Sequence, residues 1–358
     1  MDLKLWKRST NRSLRWGLAL LGLLALMAVF AEFLAPYPPT AQHRDLPNAP
    51  PTRLHLVDAA GKLRRPFVSQ AQLADRQQML YAEDRSQRHP LRFFVAGETY
   101  YLLGLFPCRR RLFGVDEPAR VFILGSDALG RDVFSRLLYG GRLSISIAAV
   151  ALLISLPLAL LVGSVSGFYG GRLDFICMRL IELFLALPAL YLIIALRSAL
   201  PLELEPEKVF FALVAVIALF GWASLARVVR GMALSLRERE FVLAAVALGA
   251  SDLRIIIRHI LPHLAGFALT QAAVAAPGFM LAEVTLSYLG LGVQEPLPSW
   301  GNMLAQAASA RALTSFWWNL APGVAIFAAS LAFHLLAEGL RKLSDPRSQS
   351  FEPGRQLW

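Results

Sequence analysis

Residues 143 to 168 run for 26 positions without an Asp, Glu, Lys or Arg. A helix of that length crosses the roughly 30 Å hydrocarbon core of a bilayer. Inside lipid, only helices and closed barrels satisfy every backbone N–H and C=O, so this one run restricts the chain to a narrow set of folds. Residues 16–35, 175–200, 209–226, 263–289 and 316–337 are also predominantly apolar and of about spanning length. With 56% hydrophobic residues and a mean hydropathy of +0.50, the chain is too apolar for an ordinary soluble domain. The expected fold class is an all-α polytopic membrane protein with six transmembrane helices.

Charge sets the orientation. Residues 1–15 form a basic arm carrying Lys4, Lys7, Arg8, Arg12 and Arg15, which places the arm in the cytoplasm and sends 16–35 outward. A cleaved signal peptide is the alternative, but about 20 apolar residues is long for a signal core and no small-x-small site follows. Residues 36–142 then lie outside; their sixteen Lys and Arg do not overturn this, because the charge rule weakens for translocated segments beyond roughly 60 residues. The net charge of +11 is spread over loops beside the apolar runs, with no nucleic-acid motif, so the expected partner is the lipid bilayer and not nucleic acid. Cys108 and Cys177 stand far apart without metal-ligand spacing, so neither a disulfide nor a zinc site is expected.

The outer segment exceeds what a connection between two helices requires and is expected to fold as a small α+β extracytoplasmic insert. Residues 91–96 and 99–103 flank Gly97-Glu98 as a β-hairpin, residues 53–58 and 62–68 form a second around 59–61, and residues 71–88 read as more helical. A cap at the outer mouth is expected, with Arg109, Arg110 and Arg111 on its exposed rim.

Inward passage follows over 143–168, with Pro157 tolerated as a kink and Gly163 and Gly167 offering a close-packing face. A tight loop at 169–174 leads to the outward run 175–200, where Arg179 and Glu182 are spaced to pair. Residues 209–226 return and deliver Arg227 and Arg230 to the inner face, and 263–289 go out again, broken at Pro277 and Gly278. Residues 286–307 are expected to be partly re-entrant. The run 316–337 and the tail 338–358 finish inside, so both termini are cytoplasmic.

Between the fourth and fifth runs lies a polar loop, 233–262. Arg237 to Leu248 reads as a helix with the low-relief surface of Ala244, Ala245 and Ala247, and Gly249 stands where a helix end needs positive φ. Ser251 suits an N-cap, Asp252 suits the first turn of a second helix carrying Arg254 and Arg258, and Leu261-Pro262 bounds it. Upstream of the second run, in ILGSDALGRDVFSRLLYGGRLSISIAA (123–149), Asp132 and Arg136 are four apart and can pair on a helix, while Arg131 and Arg142 would hold their heads in water.

Two alanines, three residues, a glycine and a later Leu-Pro resemble the EAA loop of ABC importer permeases. Leu243 stands where that motif has Glu, with Glu240 three residues earlier, and His259 stands at its usual Ile. The 123–149 segment resembles the one before the second helix of dipeptide, oligopeptide and nickel permeases, with Asp127, Gly130, Arg131, Asp132, Ser135, Arg136, Gly140 and Arg142 on matching positions. Residues 286–307 resemble the same subgroup. The resemblance implies a C-type permease of the type I ABC importer fold, in the bacterial inner membrane, with 233–262 as the loop that couples it to an ATPase. It further implies a heterodimer with a second permease subunit, two cytoplasmic ABC ATPase subunits that carry the ATP and Mg, and an extracytoplasmic solute-binding protein, with no cofactor in this chain.

The sequence contains no P-loop, no His-Glu-x-x-His, no Gly-x-Ser-x-Gly and no thiol with a partnering histidine, so the chain reads as a transport subunit and not an enzyme. Peptide, nickel chelate and microcin-like peptide remain open as cargo. A proton-coupled carrier is the distant alternative, with Glu283 and His334 as its only deep titratable candidates.

Overall fold

The computed structural model describes residues 12–57, 61–102, 104–188, 191, 194–195, 206–308 and 314–344. The long helices are α1 (Arg12–Val29), α3 (Val133–Tyr169), α5 (Pro206–Arg237), α8 (Leu261–Tyr288) and α10 (Ala321–Ser344), with a short α2 (Ala31–Leu34) after α1. Five helical stretches among the described residues are long and apolar enough to span: Arg12–Val29, Val133–Tyr169, Lys208–Arg237, Asp252–Tyr288 and Trp317–Leu343. The run expected at 175–200 begins in α4 (Gly171–Ala186); most of its remainder falls outside the described residues.

Several helices are longer than their apolar runs suggested. α3 starts ten residues before 143, and α5 continues past 226 to Arg237. The expected break at Pro277 does not occur. Pro277 can only remove its own bond to the carbonyl of Ala273, and the small Ala273, Ala275 and Ala276 crowd its ring little. The 169–174 loop shrinks to Gly170 alone, at φ 64°, because α4 restarts at Gly171.

The chain divides into two compact units, Met1–Leu21 with Ser146–Glu283 and Ala328–Trp358, and Gly22–Ile145 with Val284–Phe327. In the first, Gly163 and Gly167 let α3 press against α5 so closely that an added Cβ would stand 2.6 Å from the carbonyl oxygens of Ala226 and Arg230. Ile181 of α4 packs with Trp222, Ala223 and Ala226 of α5, and Arg179 and Glu182 pair at 2.8 Å on an exposed face.

The second unit holds two small antiparallel sheets, β1-β2-β3 (His55–Val57, Leu63–Asp75, Leu80–Pro90) and β4-β5 (Arg92–Leu102, Phe106–Gly114). The pairing of β1 with β2 follows the hairpin expected there. Residues 71–88, expected to be helical, instead form most of the β2–β3 hairpin. The Asp75 side chain accepts from the N–H groups of Gln77 and Gln78, and this turn plus cross-strand pairing overrides the helix formers around it. Gly97-Glu98 is not a turn either. It lies within β4 where the register with β5 slips between Ala96 and Tyr100, so glycine marks a bulge and the reversal comes after Leu102. Val68, Phe113, Ala119 and Val121 form the core between these strands and the following segment.

Candidate functional site

The stretch expected to couple to an ATPase is a helix, a glycine stop and a second helix. α5 ends at Arg237, and α6 (Glu240–Ala247) begins after two intervening residues, the second of them the extended Arg239. At its end Gly249 takes φ 75°; its N–H donates to the Val246 carbonyl and the Ala250 N–H to the Ala245 carbonyl, which closes the helix in a Schellman turn. A Cβ on Gly249 would meet nothing within 4 Å, so backbone conformation and not space requires glycine here. Ser251 is extended and its carbonyl accepts from Ile255, but its hydroxyl makes no cap bond.

Pro262 does not bound the second segment. α7 (Asp252–Ile255) passes through a π turn (Ile256–Ile260) directly into α8. Pro262 has no N–H to give a carbonyl one turn back, and the wider π turn accommodates that missing bond without ending the helix. Nδ1 of His263 hydrogen-bonds the His259 carbonyl at 2.7 Å, and the His263 ring stacks on Phe241 at 4.8 Å.

One face of this stretch is packed and the other is open. Val242 and Ala245 of α6, with Ile255, Ile256 and Ile260, bury against Val229 and Ala233 of α5. Outward stand Leu243, Val246, Leu248, Leu253 and Ile257, each at least half exposed and Leu248 at 88%. Glu240, Ala244, Ser251, Asp252, Arg254, Arg258 and Pro262 are exposed as well, while Leu261 is half-buried. Behind the packed face, Asp174 accepts from Arg230 at 2.5 and 2.8 Å and from Ser166 at 2.5 Å; the Arg230 guanidinium holds its carboxyl below the usual carboxylate range. Arg237 donates to the Phe168 carbonyl at 3.3 Å.

The motif at 123–142 is built in the opposite way, almost wholly buried. Asp127 folds its own loop: Oδ1 accepts from the N–H groups of Leu129 and Arg131, and Oδ2 takes Nε of Arg131 at 2.7 Å. Gly130, at φ 73°, lies so close to the backbone of His43 that a Cβ would sit 1.9 Å from the His43 carbonyl oxygen. Arg131 and Arg136 converge on Glu295 at 2.5 and 2.8 Å, and Arg131 also reaches Gln306 at 3.1 Å. Burial pushes the Glu295 carboxyl up, but Arg136 and Arg131 outweigh this and leave it below its ordinary value. Gly140 lets Ser299 and Trp300, at the start of α9 (Trp300–Gln306), approach to 3.3 Å of where its Cβ would be.

The expected pairs are therefore corrected. Asp132 does not pair with Arg136. It caps α3, where Oδ2 accepts from the N–H and hydroxyl of Ser135 at 2.8 and 2.5 Å while Oδ1 has no partner; burial raises its pKa to about 7, against the lowering effect of Ser135. Arg131 is not in water but 3% exposed, because Asp127 and Glu295 neutralise it. Arg142 is half-buried; it pairs with Glu32 and donates to the Ala28 and Val29 carbonyls at the end of α1. Sequence reasoning missed Glu32, Glu295 and Gln306 as partners. The cue was present in the acid of the Gln294-Glu295-Pro296 stretch, which otherwise lacks charge from Gly290 to Met303.

Among the described residues, no group of three or more His, Cys, Asp or Glu could hold a metal ion. Residues 137–350 match the family described as binding-protein-dependent transport system inner membrane component, and residues 5–51 match the N-terminal TM domain of oligopeptide transport permease C. The chain is 38% identical over 238 residues to the oligopeptide transport system permease protein OppC of Bacillus subtilis, covering 66% of this chain and 75% of that protein. It is 37% identical over 224 residues to the dipeptide transport system permease protein DppC of the same organism, covering 62% and 68%. Identity to OppC of Haemophilus influenzae is 36% over 225 residues, covering 63% and 70%.

Proposed function

The chain belongs to the family of binding-protein-dependent transport system inner membrane components and is a multi-pass membrane permease; from that premise we propose that it forms part of the pathway by which peptides are imported at the expense of ATP hydrolysed on other subunits. The observation that carries this reading is the coupling stretch, a short helix stopped by Gly249 and the turns after it, which bury one side and leave Leu243, Val246, Leu248, Leu253 and Ile257 open. Leu243, Val246 and Leu248 lie outside the candidate spans, where lipid does not cover apolar side chains, so their exposure calls for a protein cover. The proposed cover is one of two ABC ATPase subunits, which carry the ATP and Mg. Closure of the ATPases would draw the α6 stretch with them, and the packing of α6 on α5, with the Asp174–Arg230 pair behind it, gives that displacement a stiff path into α3, α4 and α5.

The remaining parts of the reading are a sixth spanning helix over 175–200, both termini cytoplasmic in a bacterial inner membrane, a second permease subunit, and a binding protein that delivers peptide from outside. The strands of residues 55–114 then face outward as the insert. The test is reconstitution of the four-subunit complex in proteoliposomes with its binding protein. ATP should drive uptake of labelled di- and oligopeptides, and a proton gradient alone should not; uptake driven by the gradient without ATP would overturn the reading. Orientation is read separately with a membrane-impermeant thiol reagent. A cysteine replacing Leu63, 82% exposed on β2, should label from outside, and one replacing Ser251 should not.

A further inference from the structure

Beside α1 runs a groove of about 830 Å³ that the transport reading does not use. Its floor is Leu23, Leu26, Met27, Phe30, Phe33 and Leu34, and its far wall is the β4–β5 hairpin through Tyr100, Leu102 and Cys108, with Arg109 and Arg110 at the rim. The floor is bare: Leu23 is 54%, Leu26 57% and Phe30 40% exposed. The hairpin brings more of the same, since Tyr101, Leu105 and Phe106 around its reversal are each at least 59% exposed.

Depth decides what can fill it. The Glu32–Arg142 pair is the polar landmark on this part of α1 and α2, a carboxylate and a guanidinium that belong at the headgroup level. Leu23 precedes Glu32 by nine residues, about 14 Å along a helix. The floor therefore descends from the headgroups well into one leaflet of a core roughly 30 Å thick. An apolar groove that starts at exposed arginines and ends among aliphatic side chains has the layout of a phospholipid. Arg109 is engaged only through Nε, which donates to Thr99 Oγ1 at 3.0 Å, and no ion pair among the described residues includes Arg109 or Arg110.

We propose that this groove is a binding site for one phospholipid, whose phosphate is held by Arg109 and Arg110 and whose acyl chains lie on Leu23, Leu26 and Phe30, tying the hairpin to the membrane. Fixed arginines near a headgroup plane favour anionic lipid over zwitterionic.

The test uses the assembled complex in nanodiscs of mixed phosphatidylglycerol and phosphatidylcholine, released for native mass spectrometry. The parent should retain a phospholipid, enriched in phosphatidylglycerol. The double variant Arg109→Ser/Arg110→Ser, which removes the proposed phosphate contacts together with the exposed Arg109–Thr99 hydrogen bond, and Leu26→Trp, which fills the floor and keeps both arginines, should each lower retention at least fivefold. A photoreactive benzoylphenylalanine at Leu102 should label lipid. Equal retention in the parent and both variants would overturn the proposal. So would labelling of the second permease subunit from position 102, which would make the groove a protein interface.

Discussion

The two motif-bearing regions are opposites in construction. The 123–142 motif is a closed object: Asp127, Arg131, Asp132, Ser135 and Arg136 are all buried, and the guanidiniums find carboxylates within the same unit. The 240–262 motif is left open, with Glu240, Ala244, Gly249, Ser251, Asp252, Arg254 and Arg258 all exposed beside a row of bare aliphatic side chains. A buried ion network contributes little net stability over an apolar core but fixes one arrangement of the segments it joins. An exposed apolar face contributes nothing until a partner covers it. The difference teaches that the first motif holds this chain's own segments in register, and that the second is the part that the proposed function assigns to another subunit.

The comparison breaks most easily through Arg136. Replacing it with Met leaves Glu295 with Arg131 and Gln306, and because the Glu295 side chain is 40% exposed the loss should fall below the roughly 3–5 kcal/mol of a fully buried pair. The thermal midpoint of the purified complex should fall more for Arg136→Met than for any substitution in 240–262. Adding Glu295→Met should restore part of the loss, since an apolar replacement of both partners leaves no stranded charge. A double variant no better than the single one would mean that the pair is not the relevant contact.

Gly249→Val probes the other region. Forcing a β-branched residue to φ 75° costs on the order of 1–2 kcal/mol, with no steric clash to add to it. The complex should still insert and assemble, while peptide-stimulated ATP hydrolysis falls sharply; unchanged stimulation would remove Gly249 from the coupling path. Leu248→Asp is the finer instrument. At an 88% exposed position it should change the stability of the permease by less than about 0.5 kcal/mol, yet reduce ATPase co-purification.

The smallest expected effect is a pH dependence within the buried cluster. Asp132 holds its proton up to a pKa of about 7 in the fold, against 3.8 for the free side chain. The folded state then binds the extra proton between those values, so the contribution is fully present below about pH 4 and is lost as pH rises through about 7. Asp132→Asn should flatten the fall in thermal midpoint between pH 5 and pH 8 relative to the parent. An identical slope in both would show that Asp132 does not titrate in that window.

What the sequence made legible tracks how local each cause is. The long helices follow from uncharged runs, and the Gly249 turn follows from a helix that must stop before Ser251. The partners of the arginines are not local: Glu295 lies 159 residues from Arg136, and no spacing rule reaches that far. Residues 71–88 carry helix formers, but pairing with β2 decides their structure. Pro262 reads as a stop because a π turn, which lets the helix continue past it, leaves no mark in a one-residue rule.

The central claim is that the open face of 240–262 is covered by a separate ATPase. The most direct measurement is disulfide cross-linking of the assembled complex, with both native cysteines replaced by serine and a single cysteine introduced at Leu248. A panel of cysteines on the surface cleft of the ATPase provides the partner. The account predicts a cross-link to the ATPase that changes in yield when ATP is added, and none from a control cysteine at Leu63. Transport-competent complex that forms no cross-link from position 248 to any cleft position would contradict it.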